Sequence, residues 1–320
     1  MRSSRAWLSL LLLAGSAALG LAVGPGGFGF GVGPEIMAIR LPRVLLGIVA
    51  GIGLACSGAA LQAVLGNPLA EPYLLGVAGG AACGAALAIL LNLSRTFLGS
   101  LAAPLLAMAF ALGVIFFVYR LARVGGRLSA ETVILAGMVV NAFLSGLIML
   151  MMVLAGRQLQ EILWLLMGSL SLVLTGDYVY LFMISSALVL AGCSALWFWS
   201  RSLNLFSLGE AQAQSLGVAV EAFKRRIFFT VALVAAAVVS LCGVIGFVGL
   251  IVPHLARMLA GPDNRRVIPL SAALGASLLV LADSAARTLA PQELPIGVVM
   301  ALLGVPFFVL LLRRSRRSAS

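Results

Sequence analysis

Only one acid in this sequence stands inside an apolar run with a base at pairing distance. Asp283 precedes Arg287 by four residues, which places both side chains on one helical face. Acids buried in apolar segments are costly, and a series of them would relay protons. A single satisfied pair near the end of a run does not. His254 is the one histidine; it follows Pro253, has no Cys, Asp or Glu beside it, and reads as a structural residue rather than a metal ligand. Cys56, Cys83, Cys193 and Cys242 lie isolated in apolar runs, without a C-x-x-C, and read as small buried hydrophobes. No metal and no cofactor is expected. Lys224 is the one lysine, in Phe223-Lys224-Arg225-Arg226, so the chain holds no G-x-x-x-x-G-K-[ST] phosphate loop. Any ATP hydrolysis that drives it belongs to another polypeptide. Gly24, Gly26 and Gly29 match G-x-G-x-x-G but follow an apolar helix instead of a strand, and are expected to form a flexible external loop.

The segments that position these residues are hydrophobic throughout. The chain is 62% hydrophobic and 10% charged, too apolar for a soluble domain of 320 residues. Runs of about 20 apolar residues cover a roughly 30 Å hydrocarbon core. The expectation is an all-α polytopic membrane protein, one transmembrane domain over residues 1–320. Ten spans are expected near 7–23, 44–65, 74–93, 97–119, 131–154, 180–200, 225–245, 247–260, 267–287 and 295–312. The first stretch is built like a signal peptide, but it is read as a first transmembrane helix because no soluble domain follows. With both termini cytosolic, sixteen of the 21 Lys and Arg face the cytosol, and Arg40, Arg43, Arg95, Arg157 and Arg287 do not. That distribution is membrane topology and lipid contact, not a nucleic-acid stripe. Gly47 and Gly51, then Gly76, Gly80 and Gly84, recur at the four-residue spacing that lets membrane helices approach closely. Pro104, Pro253 and Pro306 fall inside spans, where they kink helices.

Two features go beyond a bare bundle. Arg40, Arg43 and Arg287 lie on the translocated face against the charge bias; they either snorkel to lipid headgroups or dock an acidic partner. On the cytosolic side, the segment of about 203–224 is far longer than a connector needs. Its apolar residues recur at helical spacing around Glu210, Gln212 and Gln214, and Gly209 and Gly217 divide it into two short helices. Such a platform suits a partner protein.

A series of short motifs runs nearly end to end: Arg40-Leu41-Pro42-Arg43, Ser57-Gly58 to Gln62, Asn67-Pro68-Leu69-Ala70-Glu71-Pro72, Trp164-Leu165-Leu166-Met167-Gly168-Ser169, Leu208-Gly209-Glu210, Gly246-Phe247-Val248-Gly249 to Pro253-His254, Glu293-Leu294-Pro295-Ile296-Gly297-Val298, and Gly304-Val305-Pro306-Phe307-Phe308. By their order and spacing the chain resembles the permease subunits of ABC importers for vitamin B12, ferric siderophores and haem. The resemblance implies a homodimer of ten-helix subunits in the bacterial cytoplasmic (inner) membrane. It implies a cytosolic ATP-binding-cassette ATPase beneath each subunit, and one periplasmic or lipid-anchored extracellular substrate-binding protein above. Arg40, Arg43 and Arg287 match the family's docking arginines. Leu208, Gly209, Glu210, Ala211, Gln212, Ser215, Leu216 and Gly217 match its coupling helices. Gln62, Asn67, Pro68, Gly168, Ser169, Pro295 and Gly297 are the matched motif and pathway residues. The family's inner gate maps near Ser129 to Thr132, where Glu131 departs from the small polar residues expected. An ion-coupled secondary transporter is the alternative, with few intramembrane charges to support it.

Overall fold

A computed structural model of the protein describes residues 2–317 apart from 25–26, 30–32, 96–98, 125–126, 172–173, 175 and 291. The described residues form thirteen α-helices: α1 (Arg2–Ala22), α2 (Pro34–Leu65), α3 (Val77–Leu90), α4 (Ala102–Ala122), α5 (Ala130–Leu154), α6 (Leu159–Met167), α7 (Asp177–Phe198), α8 (Ser200–Phe206), α9 (Glu210–Ser215), α10 (Val220–Cys242), α11 (Val248–Ala260), α12 (Asn264–Ala286) and α13 (Ile296–Arg317). Six of them, α2, α4, α5, α7, α10 and α12, are long and apolar enough to cross a membrane. Shorter apolar stretches in α1, α3, α11 and α13 bring the apolar helices to ten, matching the expected spans. The remaining α6, α8 and α9 are short: α6 carries Trp164 to Met167 of one motif, α8 leads into the long segment of about 203–224, and α9 lies within it.

Boundaries shift where a special residue intervenes. α2 begins at Pro34, well before the expected 44, because proline is favoured in the first helical turn and Pro42 is absorbed inside the helix. Arg40 and Arg43 therefore belong to a helix, not to a loop. α3 starts later than expected: residues Pro72–Leu75 form a 3-10 turn, and Gly76 leaves it at φ 80°. Phe247 takes the left-handed conformation at φ 68° as the chain turns into α11. Gly304 of α13, having no side chain, leaves room for its ring.

α2 is the buried centre, packed against α7, α10, α11 and α12. Water cannot drive helices together within lipid, so close dispersion contact must do it, and small residues permit that. At Gly51 a side chain would run into the backbone carbonyl of Gly275 on α12, and at Gly58 into that of Gly249 on α11. Gly84 meets Leu106 of α4 in the same way.

The expected flexible loop after α1 is instead a tight hairpin. β1 (Val23–Gly24) pairs antiparallel with β2 (Gly27–Phe28), and the guanidinium of Arg40 donates to the carbonyls of Gly24 and Gly29, each at 3.3 Å. A guanidinium taken out of water needs such acceptors, and the glycine-rich turn supplies them. Gly26 lies outside the described residues. A second ladder, β3 (Arg123–Val124) with β4 (Arg127–Leu128), turns α4 into α5.

Substituting Gly51→Val or Gly275→Val should cost at least about 1–3 kcal/mol, the usual penalty of overpacking. Thermal unfolding and size-exclusion profiles in detergent should show a lower melting temperature and more aggregate. Gly113→Ala, where nothing lies near the added methyl, should leave both unchanged.

Candidate functional site

At the cytosolic end α8 and α9 form the two-helix platform. Gly209, at φ 108°, and Gly217, at φ 87°, turn the chain before and after α9, as the sequence implies. Leu208, Glu210, Ala211, Gln212, Ser215 and Leu216 are exposed, while Ala213 anchors α9 in the core. Leu208 and Leu216 are 61% and 60% exposed, large apolar side chains on a polar surface. Ser215 returns its hydroxyl to the carbonyl of Ala211 and helps close the short helix.

The platform is tied into the bundle at two points. Asn204 of α8 donates to the Asp263 carboxylate at 2.7 Å and accepts from the backbone and side-chain N–H groups of Asn264 at 2.8 and 2.9 Å. Asp263 is also the N-cap of α12, accepting from the Arg265 backbone. The Asn204 hydrogen bond, with help from the Arg265 N–H and the Arg265 and Arg266 charges, holds the Asp263 carboxyl below its ordinary range. The second tie is an ion pair at 2.6 Å from Lys224 of α10 to Glu210 of α9. Lys224, one of the basic residues of the cytosolic face by sequence, is only 2% exposed. Nearby, Ser129 caps α5 by accepting from the Thr132 N–H at 3.1 Å, and Glu131 stays exposed in the first turn, where the helix dipole favours an acid.

The motif residues converge on two turns. Gln62 donates to the Gly249 carbonyl at 3.1 Å and accepts from Arg257, which also donates to the Ala59 carbonyl. Together they lock α2 to α11. Asn67 accepts from the backbone of Leu69 at 2.9 Å, and with Pro68 makes the turn that leaves α2. Farther out, Gly168 at φ 70° and Gly297 bring the end of α6 and the start of α13 against the backbone of Val244, just after α10. Ser169 donates its N–H to the Cys242 carbonyl, and the Pro295 carbonyl accepts the first α13 bond from Val298. His254 meets Phe307 edge to face, 6.1 Å between centroids, which fits a structural residue between α11 and α13.

At the outer end the three arginines turn inward. Arg40, Arg43 and Arg287 are not exposed: only 2%, 6% and 6% of their surfaces are open. Asp283 sits between Arg43 and Arg287, 3.0 Å from each, so the pair read from the sequence makes up two members of a triad. Glu293, on the segment before α13, is a second partner of Arg43. Arg40 and Arg287 also reach back to α1, donating to the carbonyls of Leu21 and Gly20. These acceptors exist because buried guanidiniums must be paired, and they lie too far along the sequence for spacing to reveal. A cavity of about 480 Å³ opens beside the cluster, lined by Trp164, Ser169, Ser171, Gln292 and Glu293. Ser169 and Glu293 thus join the motif turn, the charge cluster and the cavity wall.

The chain is similar to known proteins over most of its length. The profile of the FecCD transport family matches residues 32–314. A cobalamin import system permease protein of Halobacterium salinarum is 41% identical over 86% of this chain and 72% of its own length. A hemin transport system permease protein of Yersinia pestis is 39% identical over 88% and 84%. A solved structure described as an inward-facing conformation of a metal-chelate type ABC transporter superposes with a TM-score of 0.87 at 31% identity, covering 98% of this chain and 99% of that one.

Asp283→Asn leaves two buried guanidiniums short of charge and should destabilise the protein by about 3–5 kcal/mol. Glu293→Gln removes a carboxylate that is one-third exposed and should cost within about 1 kcal/mol; thermal unfolding of the two variants side by side checks the order. For Asp263 the depressed carboxyl contributes stability that is complete above the ordinary aspartate range and is lost as pH falls through the lowered folded value. A melting-temperature series from neutral to acid pH should therefore drop more steeply for the native protein than for Asp263→Asn.

Proposed function

This chain belongs to the FecCD transport family and is the multi-pass permease subunit of an ABC importer, and from that premise we propose how it shares the work with its partners. The whole chain, 1–320, acts as one permease unit, and two copies enclose the pathway. A cytosolic ATP-binding-cassette ATPase grips the segment of about 203–224 on each copy, so ATP hydrolysis resides in that partner and not in this chain. A substrate-binding protein docks at the outer ends. The substrate is an iron chelate, a ferric siderophore or haem, or cobalamin.

The observation that carries this is the α8–α9 platform: exposed Leu208 and Leu216 on short helices that are themselves bonded to α10 and α12. A surface that is apolar outside and anchored inside can receive a push and pass it on. ATP binding draws the two ATPases together, the platforms follow, and the two permeases rock between outward-open and inward-open states. At the outer end, the partly exposed Glu293 is the replaceable member of the cluster. An acid of the binding protein would take its place on Arg43, with Arg40 and Arg287 behind it. The ion-coupled secondary transporter is less favoured, because the buried Asp283 is already clamped between two arginines.

Permease, ATPase and binding protein reconstituted together in proteoliposomes should accumulate one of three labelled ligands, a ferric siderophore, haemin or cyanocobalamin, only with ATP inside the compartment that holds the ATPase. Leu208→Asp should lower the ATPase retained on purification by about tenfold, equivalent to ~1.4 kcal/mol. Uptake by the permease alone on a proton gradient would overturn the proposal.

A further inference from the structure

Lys224 does more than close the platform. Its ammonium donates to two oxygens that belong to different elements: the Leu128 carbonyl at 2.5 Å and the Glu210 carboxylate at 2.6 Å. Glu221, one turn earlier on α10, stands 4.0 Å from the same ammonium and accepts the Leu128 N–H at 3.2 Å. Both backbone groups of Leu128 are therefore held by side chains of α10. Leu128 is buried, and Ser129, the cap of α5, is the next residue. On the far side, Glu210 is the first residue of α9. One buried lysine thus bridges the platform, 14 residues before it, and the entry of α5, 96 residues before it.

The chemistry makes the bridge stiff. A buried ammonium that loses the Glu210 carboxylate gives up a direct charge-assisted hydrogen bond, which the longer 4.0 Å approach of Glu221 replaces only in part. If α9 moves, Lys224 must follow Glu210 or give up its ion pair. If it follows, the Leu128 carbonyl goes with it. Glu210 and Glu221 have side chains 48% and 40% exposed and Lys224 only 2%, so of the three charges the lysine is the one enclosed by the bundle. The other tie of the platform, Asn204 to Asp263 and Asn264, leads to α12 and bypasses α5.

We propose that Lys224 is the positioning residue that transmits displacement of α9 to the cytosolic end of α5, through Glu210 on one side and the Leu128 carbonyl on the other. This rests on α8–α9 being the ATPase platform. The two sites are then coupled by a discrete polar link as well as by helix packing.

The test uses the complete transporter in lipid. Lys224→Met keeps the length of the side chain and removes the charge. It should still bind and run the ATPase, but should move about 5- to 150-fold less substrate per ATP hydrolysed, the span of a lost coupling between two sites. Lys224→Arg should restore most of it. Because the chain has a single lysine, acylation by an amine-reactive ester, read by mass spectrometry at Lys224, reports the bridge directly. In the native complex its rate should differ at least about fivefold between nucleotide-free and ATP-bound states. Should Lys224→Met fail to fold, Glu210→Gln, altered at the exposed end, should lower the transport per ATP in the same direction. Native stoichiometry in Lys224→Met or Glu210→Gln, or identical acylation in both states, overturns the proposal while leaving the platform intact. If Leu208→Asp with Leu216→Asp still retains the ATPase, the platform itself is wrong and the bridge falls with it.

Discussion

The approach of backbone to backbone along α2 is the constraint on which the rest depends. In lipid the side chains gain nothing by leaving their surroundings for one another, so association must come from dispersion contact and hydrogen bonds at short range. The absence of Cβ at Gly51, Gly58, Gly249 and Gly275 lets α11 and α12 lie on α2 with main chains touching. That contact fixes the relative heights of the three helices. Only with those heights set can Gln62 reach the Gly249 carbonyl and Arg43 reach Asp283. The polar bonds are consequences of the glycine contacts, and they then make the register unique.

The two ends of the bundle use charge differently. Outside, three guanidiniums and two carboxylates are sequestered together, and the cluster fastens α1, α2, α12 and the segment before α13. Its partners are backbone carbonyls as much as acids, so it has little freedom except at Glu293. On the cytosolic side, among the described residues, Arg201, Arg225, Arg226, Arg265 and Arg266 stay exposed, while Arg257 bonds inward to Gln62 and Ala59 and Lys224 is buried. A rigid outer clamp and an inner platform with carboxylates still free to move divide the molecule into a reference frame and a lever.

The ten apolar helices were readable from composition because the membrane leaves few alternatives to long apolar α-helices. The Asp283–Arg287 pair was readable because i and i+4 meet on any helix, and the two-helix platform because Gly209 and Gly217 punctuate it. What could not be read were bonds between distant segments. Arg43 lies outside the expected span, but α2 already begins at Pro34 and Glu293 closes on Arg43 from 250 residues away. Lys224 sat in a basic run with Arg225 and Arg226, and nothing local distinguishes the one residue that turns inward. Gly24 and Gly29 were read as slack because a glycine-rich stretch has no pattern of its own; Arg40 supplies the order.

The bonds from Arg40 and Arg287 to the end of α1 also bear on how the protein is made. Helix α1 presents carbonyls whose last partner, Arg287, is separated from Gly20 by 267 residues. During synthesis α1 must wait in the bilayer, its outer end unlatched, until α12 has been inserted. Closure of the outer cluster is therefore a late event of biogenesis, and a chain truncated before Arg287 would leave that latch permanently open.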